Sequence, residues 1–299
     1  MVLILGASRN LRLFYLMTMK SLKSSIFFLS TLTLLFITSC ELLEGTDTDS
    51  GPNIAEGLKE ALRVGTDSAT YRLASVDGYL KDQAVKILLP DELSAQIAAF
   101  KAIEINIAGL SYTGEDIYST GIPLFNINSL QAVEDDLIMG INRAAESAAK
   151  EAGPIFFGAI TSITISDANN ILFGADDAAT IFLKDNTFDA LFTTYEPKIN
   201  IAISNVKVGN NSVEDVYSNF INSYNDILNK EINIPFLLNT SILQLTDLST
   251  IEEADLSSFA TTKGLDGLFL KIEKEEANIR ENPFNRVTEI LKDVFGLLD

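Results

Sequence analysis

The sequence has no histidine, no tryptophan and a single cysteine, Cys40. The usual zinc sites need Cys or His ligands. Ser-His-Asp and Cys-His nucleophile systems are excluded outright, as are haem and di-iron centres with histidine ligands. Any chemistry is left to carboxylates, lysine, hydroxyls and tyrosine. There is no Gly-x-Gly, no Gly-rich lysine loop and no Gly-x-Ser-x-Gly, so the local signatures of phosphate-cradling loops and nucleophile elbows are missing. Positive charge is scarce as well: 22 basic residues stand against 41 acidic ones.

What is present begins with an apolar run from Ile26 to Ile37, broken only by Ser30, Thr31 and Thr33 and preceded by Lys20 and Lys23. A basic flank, an apolar stretch of this length and small residues before a cut are the parts of a secretory signal. The run is shorter than the ~20 apolar residues of a membrane span. Ile37-Thr38-Ser39-Cys40 resembles a bacterial lipobox. That resemblance implies lipidation of the Cys40 thiol, cleavage before it and acylation of the new amino terminus, several acyl chains together giving stable anchoring. The alternative is an ordinary buried cysteine. A signal of normal length opens at Met19, which makes residues 1–18 an upstream extension or a misassigned start. The predicted organisation is 1–39 extension and signal peptide, 40–53 lipidated acidic tether, and 54–299 a single helical domain.

Arg9, Arg12, Lys20 and Lys23 precede Cys40 and no acidic residue does, so residues 40–299 hold 18 basic against 41 acidic residues, a net charge of −23. Such a chain is repelled by phosphate backbones and anionic headgroups, which argues against nucleic acid and leaves the lipid as the main contact with a bilayer. Asp47-x-Asp49-x-Gly51 has a faint calcium-loop look, but the twelfth position is Leu58, which supplies no carboxylate.

Beyond the tether the sequence is mostly helical in period. Ile54, Leu58, Leu62, Gly65, Ala69 and Leu73 form one stripe starting near Asn53. Asp77-Gly78 marks a turn, and Tyr79 to Leu89 an irregular apolar segment over the core. Pro90-Asp91-Glu92 opens a helix with Leu93, Ile97 and Phe100 buried. Ile103 to Ile107 alternates like a short strand. Gly109 to Asn128 reads as a long loop, the first place to look for a variable binding surface. Ser129 to Ala152 is the strongest helix, with a stripe of Leu130, Val133, Leu137, Ile141, Ala144, Ala145 and Ala148; Gly153-Pro154 is predicted to end it. Ile155 to Ile165 reads as a buried central element, helical rather than extended. Ser166-Asp167-Ala168 caps a short helix ending at Gly174, and Asp176 to Thr180 starts the next. Ile199 to Ser204 alternates, yet is assigned to helix. Ser212 to Leu228 is amphipathic, Pro235 breaks an apolar stretch, and a long helical region runs from Thr250 to about Asn282. Asn282-Pro283 caps a last helix using Val287, Ile290, Leu291, Val294 and Phe295. The fold predicted is mainly α, an irregular bundle of roughly eight to ten helices of ordinary length, with room for one short β segment.

Several segments resemble a bacterial family of unknown function, domain of unknown function 4197: Gly57 to Gly65, Asn142 to Glu146, the Ser166-Asp167-Ala168 cap, Gly174 to Thr180, Leu265 to Phe269, and Glu275-Glu276 with Ile279-Arg280 and Asn282-Pro283. The resemblance runs in order over nearly all of residues 40–299 and departs at 104 to 128, which looks longer than usual for the family. It implies an envelope-facing, mostly helical lipoprotein and no known activity, so no catalytic residue carries over.

Three groups are candidates for chemistry. Ser147-x-x-Lys150 has the serine-lysine spacing of penicillin-recognising enzymes, but Ser204-x-x-Lys207 matches equally and the companion Ser-Asp-Asn and Lys-Thr-Gly elements are absent; a solvated helix face accounts for both. Asp167, Asp176 and Asp177 suit a hard cation, or cap helices. Asn142, Arg143, Glu146, Asp266, Glu276 and Arg280 are polar residues beside apolar stripes. They read as structural ion pairs between helices, or as a site in which Arg143 and Arg280 take an anionic ligand group. No cofactor is implied. The leading expectation is a lipid-anchored, non-enzymatic envelope protein, its domain in the periplasm, presenting a surface to a protein partner. The second is a carrier or sensor of a small, largely apolar ligand, and the weakest an enzyme using carboxylates with a divalent metal.

Overall fold

The computed structural model describes residues 52–107, 109–232 and 239–299. Cys40, the lipobox, most of the tether and the Asp47–Gly51 pattern lie outside the described residues, as does the segment around Pro235. Residues 52–299 form one compact unit, which holds the apolar core of the described residues.

Four long helices make the frame. They are α1 (Ile54–Leu73), α4 (Gln131–Ser162), α6 (Ala178–Asn205) and α9 (Leu256–Glu281). α1 packs along α4 and α9, and α6 packs along the same two, so the four close into a ring with little contact across either diagonal. The predicted stripes face this core: Leu58, Leu62, Ala69 and Leu73 from α1, Leu137, Ile141 and the alanines from α4, and Leu265, Leu268, Phe269, Ile272 and Ile279 from α9. Asn53 caps α1 as expected, its side chain accepting from the Glu56 amide. α7 (Val213–Asn229) lies on α4, and α10 (Glu289–Phe295) lies on α1. That last approach needs Gly57, because a Cβ there would come within 2.5 Å of Val294 Cγ2. The mainly α bundle is therefore borne out, with ten α-helices among the described residues.

Around the frame sit α2 (Asp91–Lys101), the hairpin β1 (Glu104–Ile107) and β2 (Leu110–Thr113), α3 (Gly114–Thr120), α5 (Ala168–Leu172), the two-residue strands β3 (Lys207–Val208) and β4 (Asn211–Ser212), and α8 (Ile242–Leu245). Ile199 to Ser204, whose alternation suggests a strand, lies inside α6.

Three expectations are corrected. Gly153-Pro154 does not end a helix: α4 runs through it to Ser162. An interior proline costs roughly 3 kcal/mol, but Phe156 and Ile160 beyond it are fully buried. Each contributes on the order of 1.5–3 kcal/mol of apolar burial, enough to carry the helix on. Ile155 and Phe157 are only half buried, so this stretch shows the core one face rather than being enclosed. Residues 109–128 are not a long loop. β1 pairs antiparallel with β2, Ile107 opposite Leu110. Thr113 then caps α3 by accepting from the Asp116 amide, and Ile117 and Tyr118 enter the core. Gly114 is required there, since a Cβ would fall 1.8 Å from the Phe100 carbonyl oxygen. Finally, Pro283–Asn285 is a separate 3-10 turn capped by Asn282, and Val287 is 66% exposed rather than part of the α10 stripe.

Candidate functional site

The polar residues predicted beside the stripes divide into three places. On α4, Asn142 and Glu146 face the segment 77–87. Asn142 forms a closed pair with the Ile87 backbone: its Oδ1 accepts from the Ile87 amide at 2.9 Å, and its Nδ2 donates to the Ile87 carbonyl at 2.6 Å. Glu146 Oε1 accepts from the amides of Tyr79 and Leu80 at 3.2 and 3.1 Å. Its Oε2 accepts from Arg143 at 2.6 Å, and Arg143 also donates to Asp77 Oδ1 at 2.6 Å. Asp77 adopts φ +69°, and Lys81 completes the cluster 2.8 Å from its other oxygen. Hydrogen bonds from Lys81 and then Arg143 hold the Asp77 carboxyl below the ordinary carboxylate range. The hydrogen bonds that Arg143 donates to Glu146 and Asp77 raise its guanidinium above its usual value. Three residues of one helix thus fasten an irregular segment that has no ladder of its own.

On α9, Glu276 and Arg280 join two other helices. Glu276 is fully buried. Its carboxylate accepts from the Ala179 amide (3.0 Å), the Thr180 amide (2.7 Å) and the Thr180 hydroxyl (2.6 Å), which are donors in the first turn of α6. Arg280 Nε and Nη2 donate to Glu276 Oε1 at 2.9 and 2.7 Å. Arg280 Nη1 and Nη2 also donate to the carbonyls of Leu172 and Ile171, at the end of α5, at 2.6 and 3.1 Å. A carboxylate on a helix start and a guanidinium on a helix end both match the peptide dipoles. Arg286 closes α9 in the same way, donating to the carbonyls of Ile279 and Arg280, while Asp299 accepts from it twice.

This arrangement corrects the expected capping by Asp167 and Asp177. Both occupy cap positions, but neither side chain bonds a helix amide. Asp167 accepts from Asn170 instead, and the α6 amides belong to Glu276, about a hundred residues along the chain. Asp176 and Asp177 border a shallow hollow with Lys271, Glu273 and Lys274. Among the described residues, no three carboxylate, histidine or cysteine side chains gather as a metal would require, so Asp167, Asp176 and Asp177 are not brought together as a ligand set.

Asp266, the sixth predicted residue, lies apart from both clusters in a cleft of about 520 Å³. The segment 84–91 forms one wall, α9 the floor, and the first turns of α6 the other wall. Gly267 lets the segment approach α9: a Cβ there would lie 2.7 Å from Tyr79 Cε1 and 3.3 Å from Val85 Cβ. Asp266 pairs with Lys184 at 2.8 Å, and Lys184 Nζ also stands 5.5 Å from the Phe269 ring centroid. Leu88, Ile181 and Leu270 line the cleft yet remain 58%, 48% and 37% exposed. Lys86 and Lys263 complete the lining, with Asp91 and Glu273 as the other acids. Sequence reading missed these lysines, since three positions spread from 86 to 263 have no spacing to betray them. Arg143 and Arg280, the predicted anion-binding pair, line no part of this cleft.

No curated protein and no solved structure matches the chain. A family model described as a protein of unknown function, DUF4197, matches residues 48–107 and 122–296. The unmatched gap covers β2 and all of α3, inside the stretch that looks longer than usual for the family. The match takes in both polar clusters and every residue lining the cleft, and by it the chain belongs to the DUF4197 family.

Proposed function

We propose that the protein is a lipid-anchored component of the bacterial cell envelope, held through Cys40, whose helical domain works by binding rather than by catalysis and uses the cleft between the segment 84–91, α9 and α6. The single observation that carries the binding reading is the composition of that cleft. It joins exposed apolar side chains to ammonium groups that have no carboxylate partner among the described residues, in a chain with nearly twice as many acids as bases. Apolar side chains grouped at a concave site mark contact surfaces. The arginines that could have served a ligand are occupied within the fold. The lipobox resemblance at Ile37–Cys40 supports the anchor, and the family's implied envelope setting agrees with it.

Two experiments test the proposal. Cys40→Ala is expected to move the protein out of the membrane fraction and to abolish labelling by radioactive palmitate; an unchanged distribution and unchanged labelling contradict the anchor. For the cleft, a photo-crosslinking side chain is placed at Leu88 in cells. It is expected to yield adducts of defined mass that are absent when the same group replaces Tyr71, which is 83% exposed and does not line the cleft. Equal labelling at both positions contradicts a specific binding surface there.

A further inference from the structure

The cleft contains an electrostatic anomaly that points to the chemistry of its ligand. Lys184 and Lys271 have carboxylate partners in Asp266 and Asp82. Lys86 and Lys263 have none among the described residues, although both line the cleft. Lys86 is half buried and Lys263 exposed. An ammonium held beside apolar side chains without a carboxylate partner is open to pairing with an arriving anion. Lys263 stands 5.9 Å from the Phe259 ring centroid, which is also part of the lining. The cleft therefore offers two free cations beside apolar walls.

The remaining groups limit how much charge the ligand carries. Asp91, Asp266 and Glu273 also line the cleft, and the chain as a whole is strongly acidic. A second negative charge would meet these carboxylates, so a monoanion is favoured over a phosphate monoester or an acidic peptide. Glu273 lies ten residues beyond Lys263 on α9, about 15 Å along the axis, away from that ammonium. The volume lies within the roughly 300–1,000 Å³ of pockets that enclose drug-sized ligands. We infer that the cleft binds an amphipathic monocarboxylate, its carboxylate held by Lys86 and Lys263 and its apolar body laid against Leu88, Ile181, Phe259 and Leu270. This inference rests on the binding reading above.

The test is calorimetric titration of residues 52–299, the compact unit that holds the core of the described residues, with dodecanoate below the concentration at which it forms micelles. Dodecanol and inorganic phosphate serve as the chain without the charge and the charge without the chain. Saturable binding of dodecanoate is expected, with both comparison ligands weaker by at least about tenfold, the ratio expected on losing one charge-assisted hydrogen bond. Lys86→Met with Lys263→Met is expected to weaken dodecanoate by a similar factor at an unchanged melting temperature. Failure of dodecanoate to saturate, equal affinity for dodecanol, tighter binding of phosphate, or full affinity in the folded double variant would each overturn the assignment. The comparison of ligands on the unaltered protein does not depend on the variant folding. If dodecanoate fails while Leu88 crosslinks specifically, the ligand class is wrong and the binding reading survives; if neither occurs, both fall.

Discussion

The junction of α5, α6 and α9 and the cleft beside it use the same kinds of side chain to opposite ends. At the junction, Glu276 and Arg280 are buried and every partner is internal: amides, a hydroxyl and two carbonyls. In the cleft, Lys86 and Lys263 have no carboxylate partner among the described residues. The difference shows what buried charge is for in this fold. A carboxylate that takes orphan amides replaces the water those amides lost, so the pair costs little to keep and much to break. An ammonium beside apolar surface without such a partner is not held in this way, and on the binding reading its partner is a ligand.

The comparison can be broken at several points. Among substitutions at the clasps, Glu276→Ala should have the largest effect, because it leaves a buried guanidinium and the α6 amides unpartnered together. The expected loss is about 3–5 kcal/mol, read as a melting temperature lower by roughly 10 °C; a shift within about 2 °C would mean the junction is not a structural clasp. Leu137→Asp, which places a charge at a fully buried position of α4, tests the core itself and is expected to prevent cooperative unfolding from being seen. Asn142→Leu is next. It frees the Ile87 amide and carbonyl, and an expected cost of about 1–3 kcal/mol should appear as faster amide exchange through residues 79–87, with α10 unaffected. Asp77→Asn should change mainly the acid limb of the stability curve. The Asp77 carboxyl titrates lower in the folded state than in the unfolded chain. Its contribution is therefore fully present above the ordinary Asp value of about 3.9 and is lost as pH falls through the lower folded value. Urea unfolding at pH 7 and pH 3 should accordingly differ less in the variant than in the parent. The smallest effect belongs to Lys86→Met with Lys263→Met, which should leave stability within about 0.5 kcal/mol; a large loss would place these lysines among the structural groups.

Most of the frame was legible in the sequence because it rests on local periodicity. Leu58, Leu62, Ala69 and Leu73 recur at helical spacing, and that is where α1 buries them. The failures share a cause: a distant partner overrode a local rule. Pro154 is a sound stop signal taken alone, but Phe156 and Ile160 have core to meet beyond it, Phe156 lying 5.2 Å from the Phe269 ring. Asp177 is a sound cap taken alone, but Glu276 reaches the same amides. Residues 109–128 carried a usable signal in Thr113-x-x-Asp116, obscured by the Gly and Ser around it. Among the candidate site residues, five of the six polar positions are internal clasps: Arg143, Glu146, Glu276 and Arg280 as ion pairs, and Asn142 through the Ile87 backbone. The cleft was not legible at all, since Lys86, Lys184 and Lys263 meet only when three separate segments are packed.

The most direct test of the contrast is lysine acetylation footprinting of the folded domain, read by mass spectrometry with and without dodecanoate. The account predicts that dodecanoate slows acetylation of Lys86 and Lys263 and leaves Lys150, exposed on α4 outside the cleft, unchanged. Equal rates at Lys86 and Lys263 with and without dodecanoate, or protection spread evenly over all three, would contradict it.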